Sequence, residues 1–169
     1  MRIFSLVLGL LLVVGAARAA DVRGSGPEAQ MLELVNADRA ANGAPPLRLD
    51  PALSAVARAH SLDMVQHGFF SHTSPSTGDP EQRLNASGIA WRAYAENISY
   101  NSGVAASERS LMNSPAHRTN LLNPSYDTIG IGIVSNGRQI FVTQNFIRTG
   151  RGGAKVRRVT APRFNIPIE

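Results

Sequence analysis

Thr128-Ile129-Gly130-Ile131-Gly132-Ile133-Val134, then Asn136-Gly137, then Gln139-Ile140-Phe141-Val142-Thr143-Gln144-Asn145-Phe146, is the stretch that decides the fold. Its first part alternates branched residues with glycine, which is the two-residue period of a strand. Asn136-Gly137 predicts a two-residue hairpin turn, and the run from Gln139 predicts the returning strand. Gly130 and Gly132 leave one face of the first strand bare, so a helix or another backbone can approach it closely.

Everything upstream follows a helical period instead. Pro27 suits a first helical turn, Met31, Leu34 and Val35 follow at helical spacing, and Asn42-Gly43 ends the run. Ala44-Pro45-Pro46-Leu47-Arg48-Leu49 is an extended connector, because each proline biases the residue before it away from helix. Asp50-Pro51 pairs a cap with a first-turn proline and opens an Ala-rich helix with Leu53, Val56, Ala57, His60 and Met64, ending at Gly68. Its small residues predict close packing against a neighbour. Asp79-Pro80-Glu81 opens a short helix stopped at Ser87-Gly88. Val104 to Met112 is helical, and Ser114-Pro115 starts one more short helix. Helices first and a hairpin last make an α+β fold, with helices covering an antiparallel sheet.

The ends of the chain carry a different composition. Met1-Arg2, an apolar run from Ile3 to Val14 and Ala17-Arg18-Ala19 have the three parts of a secretory signal. The run is shorter than the roughly 20 residues a membrane span needs. The chain therefore divides into a signal over 1–19, a leader over 20–27, one domain over 28–147 and a basic tail over 148–169. Removing Arg2 and Arg18 takes the 17 Lys and Arg to 15 against 12 Asp and Glu, so the net charge falls from +5 to +3. Six of those cations, from Arg148 to Arg163, lie in the tail. A near-neutral body with no basic–aromatic interleaving argues against nucleic-acid binding. The tail could contact an anionic envelope surface, or it could be a solvated end. With no cysteine, the mature protein has neither disulfides nor thiolate chemistry.

Chemistry-bearing residues concentrate in three segments: Phe69-Phe70-Ser71-His72-Thr73-Ser74-Pro75, Tyr94-Ala95-Glu96-Asn97-Ile98 and Ser114-Pro115-Ala116-His117-Arg118-Thr119-Asn120. Glu96 sits among apolar neighbours and needs a buried partner, for which His72 or His117 would serve. His117 lies in the first turn of a helix, where the macrodipole favours the neutral imidazole that a metal or a general base requires. The three residues form one polar site or, equally, hold the fold. His60 and His67 share a helical face and read as packed or surface histidines. Glu108 and Arg109 read as a solvated helical face. Phe69-Phe70 and Trp91-Arg92 form either a ligand rim or core. No H-E-x-x-H, G-x-S-x-G, P-loop or dinucleotide fingerprint is present.

Taken in order, these segments, with Ile129-Gly130-Ile131-Gly132 and Thr143-Gln144-Asn145-Phe146, resemble a bacterial CAP-superfamily (SCP-type) domain over roughly residues 28–147. The superfamily is that of cysteine-rich secretory proteins, antigen 5 and pathogenesis-related proteins. The resemblance implies an α-β-α sandwich with a central antiparallel sheet. It also implies a cleft in which His72, Glu96 and His117 match three of the four His and Glu residues of many eukaryotic members. The second Glu has no clean counterpart; Ser114 or its neighbourhood stands there, and Leu111 stands where bacterial members often have Trp. The resemblance allows two functions. The preferred one is a secreted or periplasmic binding module whose cleft holds a lipid, glycan, protein partner or divalent metal. The alternative is a metal-dependent hydrolase with zinc at His72 and His117 and Glu96 as third ligand or general base.

Overall fold

The computed structural model describes residues 26–150. The proposed signal, most of the leader and most of the basic tail lie outside the described residues. Five helices, α1 (Pro27–Ala41), α2 (Pro51–His67), α3 (Pro80–Ala86), α4 (Val104–Asn113) and α5 (Pro115–Leu122), surround four strands, β1 (Arg48–Leu49), β2 (Ala93–Asn101), β3 (Thr128–Ser135) and β4 (Ile140–Arg148). The sheet order is β1-β3-β4-β2. The expected α+β sandwich is present, with α1, α4 and α5 on one face and α2 and α3 on the other.

Helix starts follow the cap chemistry. Asp50 accepts from the Leu53 amide at the head of α2, and Asp79 forms a full capping box with Gln82 on α3. Gly68 ends α2 with φ 66°, the left-handed conformation that suits glycine.

Three parts of the sheet differ from expectation. The connector contributes β1, whose two residues pair in parallel with Thr128 and Ile129, so the sheet is mixed rather than wholly antiparallel. The hairpin loop is four residues, Asn136 to Gln139, because Ser135 pairs with Ile140. The Asn136 side chain accepts from both the Arg138 and Gln139 amides and so holds the longer loop. Finally, Ala93–Asn101 is a nine-residue edge strand, antiparallel to β4 throughout. It has no clean hydrophobic alternation, because one face carries Ala93, Ala95, Asn97 and Ser99 and the other carries Tyr94, Glu96, Ile98 and Tyr100. Polar residues fall on both faces, which hides a strand from periodicity.

The core splits along the sheet. Met31, Val35, Leu111 and Leu121 pack on Ile129, Ile131, Val142 and Phe146 on one side. On the other, Leu53, Leu84 and Trp91 pack on Ile147, and Met64 packs with Ile98 and Phe141. Trp91 is therefore core and not a rim, while Phe69 and Phe70 are half-buried against the Met64 cluster. Glu108, expected on a solvated face, is 2% exposed, because α4 turns it inward between α1 and the sheet.

Helix α2 lies directly on β3. A Cβ built at Gly130 would collide with the backbone of Leu53, and one at Gly132 with the backbone of Ala57 and Arg58. Two serines a double turn apart use this proximity. Ser54 Oγ accepts from the Ile131 amide at 3.1 Å, and Ser61 Oγ donates to the Gly132 carbonyl at 3.0 Å. Gly132→Ala is expected to destabilise the protein by about 3 kcal/mol or more, because backbone rather than a movable side chain blocks the new methyl. Urea unfolding of the two proteins measures this; equal midpoints would contradict the contact.

Candidate functional site

Glu96 is on the face of β2 turned toward α2 and α3, and it is 8% exposed. An ion there loses its water and needs partners in good geometry. His72 Nδ1 lies 2.9 Å from Oε1, and the Arg83 guanidinium of α3 donates to Oε2 at 2.7 Å. His60 Nε2 of α2 is 3.9 Å from Oε1. Burial pushes the Glu96 pKa up, but the His72 hydrogen bond and the Arg83 charge outweigh it, and the carboxyl is held below its usual range. An ionised carboxylate only accepts. The proton between the two side chains therefore sits on His72 Nδ1, which leaves Nε2 as the ring nitrogen that Glu96 does not engage.

The same arginine fixes the loop that carries His72. Arg83 Nη1 donates to the carbonyls of His72 at 3.0 Å and Gly78 at 2.6 Å. Further along, Ser74 Oγ donates to Asp63 at 2.5 Å, and His67 Nδ1 lies 2.7 Å from the other Asp63 oxygen. Burial raises the Asp63 pKa, but Ser74 and His67 lower it further, so this carboxylate stays ionised and the loop stays pinned to α2.

His117 approaches from the opposite side of the sheet. Its Nδ1 lies 2.8 Å from Ser114 Oγ, the N-cap hydroxyl, which caps no backbone amide. Burial, and then the charge of His72, push the His117 pKa down. Asn97 holds this helix in place: its Nδ2 donates to the His117 carbonyl at 3.2 Å, and its Oδ1 accepts from Asn120 at 2.9 Å. Neighbouring residues of one edge strand thus divide the work. Glu96 points to one face and holds His72; Asn97 points to the other and holds the helix of His117. Among the described residues, no group of three or more His, Cys, Asp or Glu side chains is arranged to hold a metal ion.

With this arrangement in view, the comparisons with known proteins are decisive about kinship. The model of the CAP family, described as the cysteine-rich secretory protein family, matches residues 32–146. The chain belongs to the CAP family. It is similar to the uncharacterized protein YkwD of Bacillus subtilis, 40% identical over 126 residues that make up 73% of this chain and 48% of that protein. It therefore spans about half the length of that relative. A crystallised extracellular protein from Bacillus anthracis that contains an SCP domain superposes with a TM-score of 0.69 at 36% identity, over 73% of this chain and 41% of that one. An outer surface protein of Borrelia burgdorferi shares the fold at a TM-score of 0.66 and 18% identity, over 72% of this chain and 91% of that one.

Of the three residues expected in one cleft, the CAP fold joins His72 to Glu96 by a hydrogen bond. It packs α5, which carries His117, against the other face of β2 through Asn97, with the His117 ring near enough to feel the charge of His72. Two participants escaped sequence reasoning. His60 lies on the apolar face of α2 with Leu53, Ala57 and Met64; a polar residue on a buried face demands a partner, and that was the available signal. Arg83 gave none, since α3 is too short for a period to show which face is buried.

Behind Asn97 the polar network continues inward. Gln144 accepts from Asn97 at 3.2 Å and donates to Glu108 at 3.0 Å. Burial pushes the Glu108 pKa up; Gln144 opposes this and Asp38 of α1 adds to it, leaving the carboxyl at about 7. Between the ordinary value of 4.5 and about 7, the folded state binds the Glu108 proton and the unfolded state does not. The stabilisation is complete below pH 4.5 and is lost as pH rises toward 7, a change of about 3 kcal/mol. The lowered pKa values of His60 and His117 tilt stability the other way below their ordinary 6.5. The contribution is therefore isolated by comparing Glu108→Gln with the parent. The difference between their stability curves, from urea unfolding at pH 4 to 8, is expected to grow in favour of the variant as pH rises. Parallel curves would contradict the assignment.

Proposed function

We propose that this CAP domain is an exported binding module whose cleft, lined by His72, Glu96 and His117, takes up a lipid or glycan ligand. The observation that carries the reading is the engagement of Glu96. One oxygen accepts from His72 and the other from Arg83, so the carboxylate is committed to orienting an imidazole and balancing a guanidinium. The hydrolase alternative would ask this same buried ion to act as a base beside Arg83, and a shared fold does not by itself supply that chemistry. Export is supported by the signal-like start of the chain and by the similarity to an extracellular SCP-domain protein. No described helix is long and apolar enough to cross a membrane.

An aromatic surface adjoins the cleft. Tyr100, on the same face of β2 as Glu96, is 45% exposed. Its ring centroid lies 4.5 Å from that of Phe141 and 6.3 Å from that of Phe70. An exposed ring braced by two inclined rings offers apolar area for a sugar face or an acyl chain. Purified residues 20–169 are expected to bind in a panel of immobilised glycans and phospholipid vesicles, and Tyr100→Ala is expected to weaken that binding about tenfold, the worth of roughly 1.4 kcal/mol. Binding to nothing in the panel, or unchanged binding by the variant, would contradict the reading.

A second reading rests on the ring nitrogens. The Nδ1 atoms of His72 and His117 are taken by Glu96 and Ser114, which is how outer-shell partners orient metal-binding histidines. Their Nε2 atoms are then the available donors, and a zinc ion held by both would complete its coordination with water or ligand oxygens. Such an ion would supply Lewis acidity to the bound oxygen. Zinc titration by calorimetry is expected to give one site per chain in the parent and none in His72→Ala or His117→Ala. Heat unchanged in either variant would exclude this site.

A further inference from the structure

Glu108 of α4 is a buried acid that the cleft does not use. Gln144 Nε2 donates to its Oε2 at 3.0 Å, and its Oε1 has no partner. Ionised, it is a buried anion with a single donor, beside the carboxylate of Asp38 on α1. Burial chiefly, and Asp38 with it, favour the neutral acid. Neighbouring charges are engaged elsewhere. Arg39, next to Asp38, donates to the carbonyls of Pro45, Leu121 and Asn123. On α5, Arg118 donates to Asn42 and His117 Nδ1 bonds Ser114. To this face β2 brings Asn97 and Asn101, which carry no charge.

From Glu108 a chain of hydrogen bonds runs to α5. Gln144 Oε1 accepts from Asn97 Nδ2 at 3.2 Å, the same Nδ2 donates to the His117 carbonyl at 3.2 Å, and Asn97 Oδ1 accepts from Asn120 at 2.9 Å. A carboxamide donates on one side and accepts on the other, so each amide takes its sense from its neighbours. An accepting oxygen on Glu108 sets Gln144, Gln144 sets one side of Asn97, and Asn97 holds two residues of α5. Without Glu108 in place, Gln144 Nε2 keeps only the Met31 sulfur at 3.3 Å, a weak acceptor. The first turn of α5 has little else to hold it. The helix is eight residues long, its N-cap side chain caps no amide, and Leu121 near its far end is its buried residue.

We propose that Glu108 is a positioning residue for His117: as the neutral acid it holds the first turn of α5 through Gln144 and Asn97, and loss of its proton frees that turn. The anion, repelled by Asp38, leaves its place and Gln144 loses its acceptor. A ligand that needs His117 then binds more weakly as pH rises; in that consequence alone the proposal rests on the function proposed for the cleft.

Hydrogen exchange of nitrogen-15-labelled residues 20–169, without ligand, tests the coupling between about pH 5.5 and 8.5. Rates are read as protection factors, which removes the intrinsic acceleration by base. As pH crosses about 7, protection of the Arg118 and Leu121 amides in the parent is expected to fall about tenfold relative to amides of α2. The side-chain amide signals of Asn97 and Gln144 are expected to move over the same range. Glu108→Gln cannot ionise and keeps an acceptor for Gln144, so its α5 protection is expected to stay level; histidine titrations are common to both proteins and cancel in the comparison. Glu108→Ala is expected to give weak α5 protection at every pH. Parallel α5 profiles for the parent and Glu108→Gln overturn the proposal. A loss shared equally by α2 and α5 also overturns it, since it reports global stability only. Because no ligand is added, neither outcome depends on whether the cleft binds one.

Discussion

The contact of α2 with the bare backbone of β3 positions most of what matters in this molecule. Two glycines two residues apart remove the side chains that would hold a helix off a sheet, where the usual spacing between packed layers is near 10 Å. The helix settles onto the strand and is stitched to it by Ser54 and Ser61. That depth brings His60 under the loop of His72, where its ring bonds the Ser71 carbonyl and faces Glu96. Asp63, on the same helix, holds the far end of the loop through Ser74 and Ser76. The helix is thus both a core element and the platform of the site.

The second organising feature is the alternation of one edge strand. Glu96 and Asn97 differ by a single residue, so their side chains leave opposite faces of β2. Glu96 gathers His72 and Arg83 on one face, and Asn97 gathers α5 on the other. Two histidines from segments far apart in sequence are brought to one sheet edge by adjacent residues. The arrangement is costly in buried polar groups, and most are answered. Glu96 has His72 and Arg83, Asn97 has Gln144 and Asn120, and Gln144 has Glu108, while His60 Nδ1, Arg83 Nε and Glu108 Oε1 have no partner. The connected part of such a network favours one geometry over nearby alternatives.

This economy bears on function. A carboxylate that holds a histidine and an arginine at once orients both side chains, and the proposed binding role rests on the imidazole it fixes. The aromatic face formed by Phe70, Tyr100 and Phe141 adds apolar area beside it.

Local chemistry was enough to reveal the helices, the β3–β4 hairpin and the kinship. Caps, first-turn prolines and glycine spacing act within a few residues, and they are visible wherever they occur. Gly130 and Gly132 even announced a close approach, though not that α2 would make it. The order of His72, Glu96 and His117 along the chain singled out the residues for which a site is proposed. What the chain alone could not show was the edge strand β2, the inward turn of Glu108 and the partners of Glu96. A strand with polar residues on both faces has no periodic signature, because its burial is imposed by helices on either side. His60, Arg83 and Asn97 acquire their roles only when three layers stack, since each bonds to a group distant in sequence. Which polar residue meets which depends on the depth of α2 on the sheet and on the parity of β2, and both are properties of the packed molecule.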